Sequence, residues 1–363
     1  MNKKQRLEAI IKGETPDMMP VFPFVLTHGV YSNGWTLPDV TGQGWLDAEK
    51  SAQTVIQTVK KYDYDFAFGS YIDLYFGVES LGGELKVPDQ LGGVVGAAKY
   101  PVETSQDWPG VKKKLASVFE RDERIKNTLK AINIVTQEIG DEVPIFAWGM
   151  PAATNASTLL RVTEALCKDM ILDPDFVHDL LDHANKFCIE FIRRQYDAGC
   201  NSICFLGDVF GTELISPKMY EEFGAPYVVE IVEMVRKEFN QDTWLHVHGS
   251  FFKPKAYGIL QKLVTETGVK GLLLDQDHSP SWLDENIAQK YNIPVGIPYH
   301  CPYLYVGPED RIDREMKEYI PNCNPKHSFM APSCEIPPDV PESHFKAWVE
   351  KTRAYSSEFY HSH

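Results

Sequence analysis

The sequence predicts a single (β/α)8 TIM barrel with an N-terminal helical extension. Two observations predict it. Eight β-rich runs alternate with helical segments from end to end, and a polar residue able to do chemistry follows nearly every run. The polar start MNKKQRLEAIIKGETP reads as the helical extension. The strands that follow span 19–26, 64–70, 143–150, 202–207, 243–248, 271–275, 293–299 and 328–331. Helical stretches separate the later strands. Asp173–Ala198 opens with Asp-Pro, a cap followed by proline at the first helical position, and ends at Gly199. Pro217–Asn240 and Pro341–Tyr360 have the same character. A doubly wound sheet is the alternative, but no GxGxxG turn follows the first strand. The glycine-rich LGGVVG at 91–96 reads as a loop. No repeat, low-complexity tract or linker interrupts the chain, so residues 1–363 are expected to form one domain.

Composition narrows the function. Hydrophobic residues make up 43% and charged residues 24%, as in a globular protein with a large core. No apolar run approaches the roughly 20 residues that span a bilayer, and no signal peptide opens the chain, so a cytoplasmic protein without a membrane partner is expected. A net charge of −15 repels phosphate backbones and argues against nucleic acid. The seven cysteines show no disulfide spacing. Cys167, Cys188, Cys200 and Cys204 sit among apolar residues and read as buried small hydrophobes.

In a barrel, residues at the C-terminal ends of the strands converge on one mouth. That rule gathers His28 and Tyr31, Tyr71 and Asp73, Trp148, Asp208, His246 and His248, Asp275 and Asp277, Tyr299 and His300, and Cys334. Any one of them alone is more often a cap or turn residue; their convergence is what points to a site. Asp208, Asp275, Asp277, Tyr299 and His300 are candidate acids or orienting groups. His28, Tyr71, Phe76 and Trp148 are candidates to contact substrate, the aromatic ones as an apolar wall.

The LHVHG segment at 245–249 puts two histidines at i and i+2. On a strand both imidazoles face the same side, which begins a zinc site. Cys334 follows the eighth strand just before two prolines and can supply the third donor. Two histidines and one cysteine suit a catalytic zinc with an open fourth position.

Four segments resemble the uroporphyrinogen decarboxylase-like superfamily: RLEAIIKGETPDMMPVFPF at 6–24, GDVFGTELISPKMYEEFGAPYV at 207–228, WLHVHGS at 244–250 and APSCEIPPDVPESHFKAWVE at 331–350. Their order is right and the likeness runs through almost the whole chain. The resemblance implies a TIM barrel. Decarboxylases of that family carry an arginine-rich N-terminal segment for substrate carboxylates. Here FPFVLTHGVYSNGW contains no arginine, which disfavours porphyrinogen decarboxylation.

The resemblance points instead to the cobamide-dependent methyltransferase branch, where a thiol-alkylating member shows His-x-Cys on the fifth strand and a distal Cys. The zinc role therefore carries to His246 and Cys334. For His248 it is an inference from chemistry. Two thiolates would cancel the charge of the ion, whereas one thiolate with two imidazoles leaves it a stronger Lewis acid. The expected reaction is O-demethylation: methyl transfer from a small O-methyl donor, best a methoxylated aromatic, to the cob(I)amide of a separate corrinoid protein. No DxHxxG-type corrinoid-ligating motif is present, so the cobamide is expected on that partner. The alternatives are transfer from methylcorrinoid to a thiol such as coenzyme M, a decarboxylase-like lyase, or a non-catalytic corrinoid-protein binder.

Overall fold

The computed structural model describes residues 1–212 and 214–362. Among them, seven parallel strands form the main sheet: Ala67–Phe68, Ile145–Gly149, Cys204–Asp208, Thr243–Val247, Leu272–Leu273, Val295–Tyr299 and Ser328–Pro332. They lie side by side in sequence order. Helices surround this curled sheet, in a TIM-like arrangement.

The first expected strand is reduced to a single bridge, Val21 to Met330. It still closes the ring. Phe22 N–H donates to the Met330 carbonyl and Met330 N–H to that of Pro20, while Asp65 N–H donates to the Val21 carbonyl. Pro20 and Pro23 flank this pair without N–H groups, so the ladder cannot extend.

The helices follow their end signals. The Asp173 carboxylate caps helix Pro174–Asp197 by accepting from Phe176 N–H, and Gly199 leaves the helix at φ +119°. The expected 217–240 helix is instead two, Pro217–Phe223 and Ala225–Phe239, broken at Gly224. Pro226 supplies no N–H and cannot continue the first helix. The glycine-rich 91–96 segment is a loop until Gly96, which begins a short strand, Gly96–Lys99, paired antiparallel with Glu84–Lys86. Helix Lys3–Lys12 forms the N-terminal extension, and helix Glu342–Ser362 is tied to the buried Asp65 through Arg353.

The barrel interior is filled with rings, not open. Phe22 packs against Phe146 at 4.9 Å and Phe205 at 5.3 Å between centroids, and Trp244 stacks on Phe329 at 4.9 Å. Phe24, Phe68 and Phe205 form the next layer, 5.1–6.0 Å apart. Side chains in such layers make the barrel a packed core that opens only at its C-terminal end. Among the described residues, no helix is long and apolar enough to cross a membrane.

Candidate metal centre in the barrel mouth

Strand Thr243–Val247 alternates Trp244, His246 and, just past its end, His248 on one face. Trp244 fills the core below, so the two imidazoles stand above it, their ring centroids 4.5 Å apart. Cys334 arrives from the loop after Ser328–Pro332. The donor atoms of His246, His248 and Cys334 all lie within 4.8 Å of one another. Sγ of Cys334 is 3.9 Å from Nε2 of His248. One ion bonded at about 2.0–2.3 Å needs only slight contraction of such a cluster.

Two neighbours orient the imidazoles. The Leu273 carbonyl lies 3.2 Å from Nδ1 of His246. Donation from that nitrogen leaves the Nε2 lone pair facing the cluster, and among the described residues this buried Nε2 has no hydrogen-bond partner. Asp275 holds Nδ1 of His248 at 2.9 Å and also accepts from Gly249 N–H at 2.8 Å. These are the outer contacts that fix the tautomer of metal-binding histidines. The following loop presses from the side: a Cβ at Gly211 would fall 1.4 Å from the His248 carbonyl oxygen, so only glycine fits.

The protonation pattern fits a cation. Burial would raise the Cys334 thiol, but His246 and His248 hold it down at about 5. Burial would lower His248, yet Asp275 and Cys334 push it up to about 10. Burial would likewise raise Asp275, but its bond to His248 keeps it below the usual carboxylate range. A thiolate thus faces an imidazolium, and the proton on His248 supplies positive charge where a metal would. The orphaned Nε2, the soft-and-borderline donor set and the oriented rings all fit zinc.

Above the donors lies a cleft with about 150 Å³ of space for water-sized molecules. Its walls are largely apolar, with Phe24, Phe68, Phe205 and Trp148 prominent, and His246, His248, Cys334, Asp208 and Glu335 as its titratable residues. Asp208 is fully engaged. It accepts from Thr154 Oγ1 at 2.7 Å, Phe210 N–H at 3.0 Å and Tyr220 OH at 3.0 Å. Burial raises its pKa against these three bonds. It ties the loop to the wall and has no oxygen left unbonded for a substrate.

The structure does not bring the other expected residues to the cleft. Tyr299 turns outward, donating to Glu315 at 2.5 Å and packing on Trp348. Asp277 pairs with His278 at 2.9 Å. His300 packs edge-on against Tyr303. His28 is wedged against Phe345 and Tyr62, and burial lowers its pKa to about 4. Tyr71 is buried behind the wall and Phe76 sits behind Trp148 at 5.4 Å. Trp148 alone of the four substrate-contact candidates lines the cleft. Sequence reasoning missed Glu335, whose Oε1 accepts from Thr27 N–H at 2.9 Å. Its position next to Cys334 was the available signal. Burial raises its pKa to about 7, with Cys334 adding to the rise and Thr27 opposing it. Thr154 and Phe205 carried no signal of their own.

The family model for uroporphyrinogen decarboxylase (URO-D) matches residues 2–355. The chain belongs to the URO-D family. It is 23% identical to a methylcobamide:CoM methyltransferase MtbA of Methanosarcina acetivorans over 97% of this chain and 98% of that protein. It is 25% identical to a methylcobamide:CoM methyltransferase MtaA of Methanosarcina barkeri at the same coverage. A uroporphyrinogen decarboxylase of Pseudoalteromonas atlantica is 22% identical over 86% of the chain and 85% of that protein. The two Methanosarcina matches fit the corrinoid-dependent methyltransferase branch of that family. A solved methyltransferase from Methanosarcina mazei shares the fold, with a TM-score of 0.79 at 22% identity over 99% of both chains.

Proposed function

We propose that this URO-D protein is a zinc-dependent, cytoplasmic methyltransferase. It moves a methyl group from a small O-methyl donor to the cob(I)amide of a separate corrinoid protein. The observation that carries the reading is the His246–His248–Cys334 cluster, whose free side opens on an apolar cleft. A zinc ion held there would supply Lewis acidity to the donor oxygen. His246 and His248 keep their Nε2 atoms aimed at the centre because Leu273 and Asp275 occupy the other nitrogens. Phe24, Phe68, Phe205 and Trp148 exclude water from around the methyl group. In the transfer, the electron pair of the cobamide forms the new bond to the methyl carbon. The carbon–oxygen bond breaks and the oxygen leaves with its pair, then takes a proton from solvent.

Two observations favour a second reading, transfer from methylcorrinoid to a thiol. The full-length relatives named above carry that activity in their names. Asp275 also returns negative charge to the site through His248, offsetting part of the Lewis acidity gained by replacing a thiolate with an imidazole.

The test measures both half-reactions on zinc-checked wild type and His248→Cys. The O-methyl reading expects cob(I)amide to become methylcob(III)amide with a methoxylated donor. It also expects this rate to fall ~10- to 100-fold in His248→Cys, a loss of about 1.4–2.7 kcal/mol. A wild type that methylates thiols and ignores O-methyl donors overturns the choice of step. A wild type that does neither overturns the methyltransferase reading.

A further inference from the structure

The loop that delivers Cys334 is held from one side by residues 24–28, just past the reduced first strand. Ile336 N–H donates to the Phe24 carbonyl at 3.1 Å. Thr27 N–H donates to Oε1 of Glu335 at 2.9 Å. The third tie comes from a side chain. Nδ1 of His28 lies 3.2 Å from the Pro338 carbonyl oxygen. A carbonyl oxygen can only accept, so Nδ1 carries the proton and donates. In the neutral ring Nε2 must then accept, and the Tyr62 hydroxyl stands 3.4 Å from it. That hydroxyl lies 3.1 Å from Ser32 Oγ, which can donate to it in turn. Burial lowers the pKa of His28 and keeps the ring neutral.

His28 is buried and does not line the cleft. Its ring packs edge-on against Phe345 at 5.3 Å, and Tyr62 stacks on Phe345 at 4.1 Å. Helix Glu342–Ser362 thus braces the relay from behind. Phe24 supplies a backbone carbonyl and Thr27 a backbone N–H, groups that most residues there would offer. His28 supplies a donor that only its side chain has. A loop already ordered when a ligand arrives spares binding the entropy of fixing it.

We propose that His28 is a positioning residue for Cys334, and that its N–H to the Pro338 carbonyl fixes the loop before any ion binds. The inference rests on the metal reading of the His246–His248–Cys334 cluster and adds a residue to it. His28 acts through the loop and touches neither ion nor substrate.

The test uses full-length protein and two readouts. The first is residue-resolved hydrogen exchange on zinc-free protein at Ile336 and Val340, whose N–H groups donate to the Phe24 and Pro337 carbonyls. Leu245, whose N–H donates to the Gly271 carbonyl in the sheet, is the control. The second is zinc affinity by competition with a chelator. His28→Phe keeps a ring against Phe345 and removes the donor. It should speed exchange at Ile336 and Val340 by about tenfold and weaken zinc by a similar factor, with Leu245 unchanged. His28→Asn loses the ring but places an amide N–H where Nδ1 stood. It should bring both readouts back to within about threefold of wild type. Tyr62→Phe keeps the stacking and frees Nε2 of His28. It should shift both readouts in the direction of His28→Phe by a smaller factor, about threefold, and serves if His28→Phe does not fold. A merely structural role would speed Leu245 along with the loop, or would make His28→Asn the worse of the two His28 variants. Either result overturns the inference, as does unchanged loop exchange in both His28→Phe and Tyr62→Phe. A wild type that holds no zinc would defeat the metal reading, and the exchange readout would still decide whether His28 holds the loop.

Discussion

The two ends of the barrel both bury charge, and they do so in opposite ways. At the bottom, the fully buried Asp65 accepts from Arg6 at 2.9 Å, from Arg353 at 3.1 Å and from Val21 N–H at 2.9 Å. Helix Lys3–Lys12, the first closing segment and helix Glu342–Ser362 are thereby pinned to one carboxylate. At the mouth, among the described residues, His246 keeps a buried Nε2 without a partner, and Sγ of Cys334 lies 3.9 Å from Nε2 of His248. A buried polar atom left unpaired costs about 1–3 kcal/mol, so the mouth holds its groups in an arrangement that the fold alone does not need. Charge at one end secures the chain termini; charge at the other waits for a ligand.

The sharpest way to break this comparison is a pair of substitutions read by two measurements. Cys334→Ala should remove most of the roughly one equivalent of zinc expected per chain, by metal analysis, and leave the thermal midpoint of the metal-free protein nearly unchanged. Asp65→Ala should do the reverse. It leaves two arginines without their buried partner, a loss of about 3–5 kcal/mol in denaturant unfolding, while the folded fraction keeps its zinc. Equal effects of both substitutions on stability and on metal would mean that the two ends are not specialised.

A smaller effect is expected at Asp275. Asp275→Asn removes the carboxylate that orients His248 and should weaken zinc about 10- to 100-fold in competition with a chelator. Unchanged affinity would reduce Asp275 to a turn residue.

The smallest effect is a slope. In the metal-free protein, Cys334 is held to about 5 and His248 is pushed to about 10. Between those values the thiol is already ionised and His248 still carries its proton, so metal binding displaces one proton. Zinc affinity should then rise about tenfold per pH unit across that window and more steeply below about 5, where Cys334 must also lose a proton. Pairing of His248 with the carboxylate and thiolate is the cause. A flat profile near neutrality would show that the pair is not formed.

What was legible in the sequence follows from strand geometry. His246 and His248 could be read together because a strand repeats every two residues, and Cys334 because barrel topology brings the last strand round to the mouth. The same rule, applied more strictly, would have excluded Tyr299. It shares a face with Val295 and Ile297, which look toward the helices. Gly296, on the other face, leaves room for Leu273 and Phe329, since a Cβ there would lie 2.6–3.0 Å from their side chains. The roles of Asp275 and Glu335 were not legible, because a carboxylate after a strand looks the same whether it orients a ligand, faces a cleft or, like Asp277, pairs with its neighbour. The reduction of the first strand to a bridge was in principle visible in Pro20 and Pro23.

The central claim is that His246, His248 and Cys334 together hold one zinc ion. Zinc K-edge X-ray absorption on the purified, zinc-loaded protein tests it most directly. The account predicts a first shell with one sulfur at about 2.3 Å and two imidazole nitrogens at about 2.0–2.1 Å, the sulfur vanishing in Cys334→Ala. A shell with two or more sulfurs, a shell without imidazole, or a spectrum unchanged by Cys334→Ala would contradict it.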